Sequence, residues 1–153
     1  MNDARQWLER MHADIDQRLA KATPLGERAA YLRSMLWFSA TGMAMTTDAG
    51  IRDKGLEQGQ RMLEARDVAR DMQRRIDAVF KDRVPDTAHG HAMQALKMNL
   101  AALEFATGAS MGFMLSERAD EGLWWAGHAG SLMAKLVLSV GELEESFPDA
   151  ALD

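Results

Sequence analysis

Cysteine is absent from this chain, and that absence removes disulfides, thiolate metal sites and a cysteine nucleophile together. It fits a reducing compartment. Proline occurs only three times, at 24, 85 and 148, each between stretches of regular periodicity. Valine and isoleucine are scarce, whereas Ala, Leu, Met, Glu, Arg and Gln are plentiful, which favours helix over sheet. The expected fold class is all-α. The N-terminus, "MNDARQWLERMHADIDQRLAK", lacks the apolar core of a secretory signal, so a cytoplasmic location is the expectation. No repeat of solenoid period and no low-complexity linker interrupts the chain.

What is present suits one domain. A chain of 153 residues with 47% hydrophobic composition can bury a real core and is too short for two comfortable ones, so residues 1–153 read as a single helical-bundle domain. The net charge of −5 argues against nucleic-acid binding, which needs a concentrated basic surface. That charge is uneven: residues 116–153 carry two basic and eight acidic groups, while residues 48–83 carry nine and eight.

Apolar spacing predicts five helices. The first covers 3–22, with Trp7, Met11, Ile15 and Leu19 every four residues. Thr23, Pro24 and Glu27 then read as cap, first turn and dipole-matched acid of a second helix over 25–46, which is apolar on most sides and expected to lie centrally. "TTDAG" reads as its stop. The third, over 50–83, is long and charged, and Met62, Ala65, Ala69, Met72, Ile76 and Val79 mark one seam at alternating three–four spacing. Gly55 and Gly59 weaken its start, and "VPDT" at 84–87 reads as a stop followed by a cap. The fourth, over 87–116, has a large-residue face of Leu96, Leu100, Leu103, Met111 and Met114 and a small-residue face of Ala95, Ala102, Ala106 and Ala109, which would let a neighbouring helix come close. The fifth starts after "RADEG" and reaches about 146.

Within it, "GLWWAGHAGSLMAKLVLSVG" at 122–141 admits three readings. As a membrane span it is long enough, but Lys135, His128 and four glycines interrupt it, and a central lysine costs roughly 2.5–3.5 kcal/mol on insertion scales. As a cofactor pocket it would use His128 as an axial ligand with Trp124 and Trp125 as walls. As the wall of a bundle it uses every feature. An antiparallel hairpin turning near residue 119 pairs residues whose numbers add to about 238. Trp124 and Trp125 then lie level with Met111 and Met114, His128 near Gly108 and Gly112, and Lys135 opposite Glu104. The bundle reading is preferred.

Catalytic and metal patterns are poorly supported. "HGH" at 89–91 sets two histidines on different sides of a helix, and no Glu-x-x-His occurs to build a di-iron site. No serine sits in a Gly-x-Ser-x-Gly elbow, and "GASMG" at 108–112 lacks the strand and lysine of a phosphate loop. Arg66, Arg70 and Arg74 align four apart, but Asp67, Asp71 and Asp77 interleave with them and suggest a salt-bridged surface.

Twelve methionines and four tryptophans favour adaptable apolar contacts. The sequence therefore points to a non-enzymatic, methionine-rich binding protein, an adaptor, regulator, or immunity- or chaperone-like chain, with no cofactor or metal and with a protein partner. A homodimer is expected, with the seam of the third helix available to a twin. The alternative is a small-molecule or haem carrier with an apolar pocket near His128, lined by Trp124 and Trp125. The acidic end of the fifth helix, Glu142, Glu144 and Glu145, with Phe147 as an apolar anchor, suggests a surface for a basic partner.

Overall fold

Alanine, leucine and methionine recur at helical spacing with no run of β-branched residues, and the chain follows that preference throughout. The computed structural model describes residues 2–52, 56–80 and 88–146. Among them are five helices and no strand: α1 (Asn2–Lys21), α2 (Leu25–Arg52), α3 (Leu56–Phe80), α4 (Ala88–Leu115) and α5 (Ala119–Ser146). α2 packs on α3, α3 on α4, α4 on α5, and α5 returns to α2, closing a four-helix ring. α1 lies outside the ring against α2. α2 thus touches three helices, as its all-round apolar character requires.

The ring is filled by Leu32, Leu36 and Met43 of α2, Ala65, Ala69, Met72 and Ile76 of α3, Leu96, Leu100 and Leu103 of α4, and Met133, Leu136 and Val140 of α5. Alanines on α3 draw the neighbours in, and flexible methionines fill the remaining gaps. The whole seam expected on α3 is buried here, from Met62 to Val79. It is therefore consumed inside one chain and is not the surface that could pair with a twin.

Several ends differ from the sequence reading, each for a local reason. "TTDAG" does not stop α2, which runs on to Arg52: Thr46 turns its hydroxyl back to the Gly42 carbonyl at 3.0 Å, and Thr47 is buried. Arg28 donates its amide to the Pro24 carbonyl, so Pro24 takes the cap position expected of Thr23. α5 begins inside "RADEG", with Asp120 and Glu121 in its first turn where the helix dipole favours acids. Gly55 and the stop at 84–87 lie outside the described residues.

The α4–α5 connection is a Schellman turn. The Arg118 amide donates to the Phe113 carbonyl and the Glu117 amide to the Met114 carbonyl, which puts Glu117 in the left-handed region at φ 60°. Gly122 gives the helices their close approach, since a Cβ there would sit 2.4 Å from Met114 Sδ. Ser110 donates its hydroxyl to the Gly122 carbonyl at 2.8 Å. These two contacts add to 232 and 236, below the expected 238.

Glu104 faces α3 rather than Lys135. It accepts from Arg70 Nε and Gln73 Nε2 of α3, both at 2.8 Å, and Lys135 is exposed. The expected pairing of Lys135 with Glu104 is thus replaced by a bond between α3 and α4. His128 likewise does not fill the space at Gly108, where the nearest atom to an added Cβ is Arg66 Cδ. Among the described residues no helix is long and apolar enough to cross a membrane.

Two measurements check these points. Glu117→Gly relieves the left-handed strain and is expected to raise stability by up to about 1 kcal/mol in denaturant melts, whereas Glu117→Val lowers it. In double-mutant cycles, Glu104→Gln and Arg70→Met couple by roughly 0.2–1 kcal/mol, as part-exposed pairs do. Glu104→Gln and Lys135→Met are additive.

Candidate protein-binding face

The inner face of α4 is spent on the core, and its outer face is also apolar. Ala95, Met98, Ala102 and Phe105 point away from the buried Leu96, Leu100 and Leu103 and are exposed. Of the small-residue face expected from the sequence, Ala106 is buried, Ala109 is half-buried, and Ala95 and Ala102 meet solvent rather than a neighbouring helix. The two charged side chains that could interrupt this face turn toward α3. Lys97 Nζ pairs with Asp77 and Glu104 pairs with Arg70.

Next to it, α5 contributes an aromatic plate. Phe105 meets Trp125 edge-on with ring centroids 5.5 Å apart, and Trp125 meets Trp124 edge-on at 4.9 Å. Trp124 in turn stacks on His128 at 5.6 Å with the planes 17° apart. Trp125 packs against the core, while Trp124 is 63% exposed and Phe105 65%. Met98 on α4 is 74% exposed and Leu138 on α5 68%, with the exposed Lys135 between His128 and Leu138 on the same stripe. The helix register explains the plate: residues 124 and 128 stand one above the other, and 125 turns toward α4.

His128, Trp124 and Trp125, the trio expected to line a cofactor pocket, are in mutual ring contact. They meet on the surface. The imidazole lies against an indole face with solvent beside it, so these rings do not enclose a pocket. Beside Phe105 runs a shallow open groove of about 430 Å³ between α3 and α4, floored by Ala101, Gly108 and Ala109 and edged by Arg66 and Arg70. Its cations are already engaged, Arg66 with Asp67 and Arg70 with Glu104, and Arg74 pairs with Asp71. At the acidic end of α5, Glu142 is exposed, and Phe147 and the side chains of Glu144 and Glu145 lie outside the described residues.

A second polar cluster was not legible in the sequence. Ser39 Oγ lies 3.1 Å from His12 Nε2, and beside them Arg75 bridges Asp71, at 2.5 Å, and Asp16. Serine, histidine and aspartate stand close together here, but the arrangement serves to fasten α1. Ser39 is 2% exposed in mid-helix, where neighbouring amides are committed to the helix ladder and none is presented to a developing oxyanion. Both aspartates are held by Arg75. Residues 12 and 39 share no motif, and only the packing of α1 on α2 unites them. Among the described residues no three histidine, aspartate or glutamate side chains converge on a common point to hold a metal ion.

No family model, no curated protein and no solved structure matches this chain.

The cluster makes stability depend on pH. Burial, and then the Arg75 guanidinium, hold the His12 pKa below its ordinary 6.5, against the opposing pull of Asp16 and Asp71. The unfolded chain therefore takes up this proton more readily than the folded one, so stability is full above about 6.5 and is lost as pH falls toward the lowered value. Glu104, held below its ordinary 4.5 chiefly by the Arg70 hydrogen bond, loses its contribution only in more acidic solution. Urea midpoints measured from pH 7.5 to 5.5 are expected to fall, and His12→Gln is expected to flatten most of that fall. An unchanged slope in the variant would assign it elsewhere.

Proposed function

We propose that this chain is a non-enzymatic cytoplasmic binding protein that works by protein–protein contact through the apolar face of the α4–α5 hairpin, in the manner of an adaptor, regulator, or immunity- or chaperone-like chain, and that it self-associates as a homodimer. One observation carries the reading: Met98, Phe105, Trp124 and Leu138 are each about two-thirds exposed or more on two adjacent helices, over a strip whose α4 charges turn away. Scattered exposed apolar residues are ordinary, but a joined surface of this kind is how binding sites present themselves. Tryptophan and phenylalanine on rigid helices also supply contact area at low entropic cost, and methionine adapts to the partner's shape.

Light scattering at micromolar concentration is expected to return twice the 17.0 kDa chain mass. Replacing both Phe105 and Trp124 with serine is expected to weaken association at least ~100-fold, since buried aromatic anchors contribute on the order of 2–4 kcal/mol each. Both side chains are exposed, so circular dichroism of the variant should stay helical. A single-chain mass across a hundredfold dilution series of the wild type would overturn self-association.

A further inference from the structure

The outer face of α4 has an order as well as a composition. Ala95, Met98, Ala102, Phe105, Ala109 and Gly112 follow one another at three–four spacing on the side opposite the core. This is the spacing that lets one helix follow another along a shallow seam. Sizes alternate along its first five positions: small, large, small, large, small. Gly112 ends it, and a Cβ added there would meet nothing within 4 Å.

From that order we infer that the occupant of the face is α4 of a second copy, packed antiparallel about a two-fold axis between Leu103 and Glu104, with Phe105 of each copy seated on Ala102 of the other. The inference rests on the reading of the α4–α5 face as a protein-binding surface, and adds its partner and register.

Antiparallel pairing about that axis sets together residues whose numbers add to 207. Ala102 meets Phe105, Met98 meets Ala109, and Ala95 meets Gly112. The four central layers then join one small residue to one large one, the two end layers join Ala95 to Gly112, and no layer holds two large residues. Facing positions that alternate in this way interdigitate without voids or clashes. Parallel pairing would set Phe105 against Phe105 and Ala102 against Ala102, giving one crowded layer and one empty layer. The copies need no charge compensation along the seam, because Lys97 and Glu104 are neutralised by Asp77 and Arg70 within each chain.

The area also suffices. Phe105 and Trp124, each about two-thirds exposed, offer roughly 250 Å² together on the usual 150–250 Å² per ring. Met98, the exposed alanines, His128 and Leu138 bring the face toward the ~800 Å² that each partner of a stable dimer contributes. Closed two-fold symmetry limits the assembly to a pair, because the same strip serves both copies.

The lack of cysteine makes the register directly readable. Ala95→Cys and Gly112→Cys are prepared as separate single variants, each checked for wild-type mass under reducing conditions, and then oxidised alone and mixed. The mixture is expected to form a disulfide joining residue 95 of one copy to residue 112 of the other. Each variant alone is expected to stay unlinked, because like positions lie about 25 Å apart, at ~1.5 Å per residue, and a disulfide spans Cα atoms only about 4.4–6.8 Å apart. Single variants that link to themselves would establish a parallel seam and overturn the inference. A dimer that links in no combination would place the contact elsewhere and overturn it too, leaving self-association intact. A chain that stays monomeric at every concentration would overturn both. A size swap supplies a second readout. Ala102→Phe alone is expected to weaken the dimer at least ~100-fold by overpacking the central layer, at a cost of roughly 1–3 kcal/mol in each of the two equivalent layers. Ala102→Phe combined with Phe105→Ala restores one large residue per layer and should return affinity to within about tenfold of wild type. Failure of the swap to rescue would overturn the pairing of 102 with 105.

Discussion

A helix packed in a four-membered ring turns a stripe about 100° wide toward the core, and α4 brings two apolar stripes set half a turn apart. Only one can enter. Leu96, Leu100 and Leu103 do so because large branched side chains reach the ring's centre, where Leu36, Met72 and Met133 meet them. The stripe with Ala95, Met98, Ala102 and Phe105 is left facing outward. Much of the surface follows from that division. Lys97 and Glu104, at the edge of the inner stripe, find partners on α3, and α5 lays Trp125 across the boundary between α4's faces with Trp124 beyond it.

The same division shows why a helix-rich chain can be so apolar without being unstable. Core density here comes from mixing alanines with methionines: Ala65 and Ala69 narrow the ring while Met43, Met62, Met72, Met93 and Met133 fill what remains. A ring of leucines alone would have been wider and less specific. Methionine has no branched end that must point one way, so the packing tolerates helices of different girth side by side.

How much of this could be read beforehand depended on the range of the interaction involved. The seam of α3 was legible residue by residue, from Met62 to Val79, because three–four spacing is a local property that survives any tertiary context. The trio at 124, 125 and 128 was legible for the same reason. Its exposure was not, because exposure depends on where α4 sits. The α4–α5 turn misled because Glu117 occupies a left-handed position normally marked by glycine or asparagine, so the true hinge carried no signature and the expected register was off by two to six in the paired sum. Glu104 found its partner on α3 instead, because it lies on the side of α4 that faces that helix. Ser39 and His12 lie 27 residues apart, and no local pattern could have joined them. The small face of α4 was visible as alanines, but spacing alone could not say which side of the ring it would occupy.

The position of α1 outside the ring has a thermodynamic consequence. Its hold on the rest is one-sided: Leu8 enters the notch left by Gly42, Trp7 meets Phe38 edge-on at 5.4 Å, Ile15 is buried, Leu19 packs against the core, His12 meets Ser39, and Asp16 meets Arg75. None of these contacts closes the ring, which is complete from α2 to α5. The native state is therefore best regarded as two cooperative units of unequal stability, with α1 opening at a cost well below that of global unfolding. Its amide protons should exchange through that partial opening while those of α3 wait for the whole molecule. Each such excursion bares Phe38 on α2, beside the already exposed Trp37, a latent hydrophobic surface across the bundle from the permanent one, whose availability is governed by an equilibrium constant rather than by a second fold.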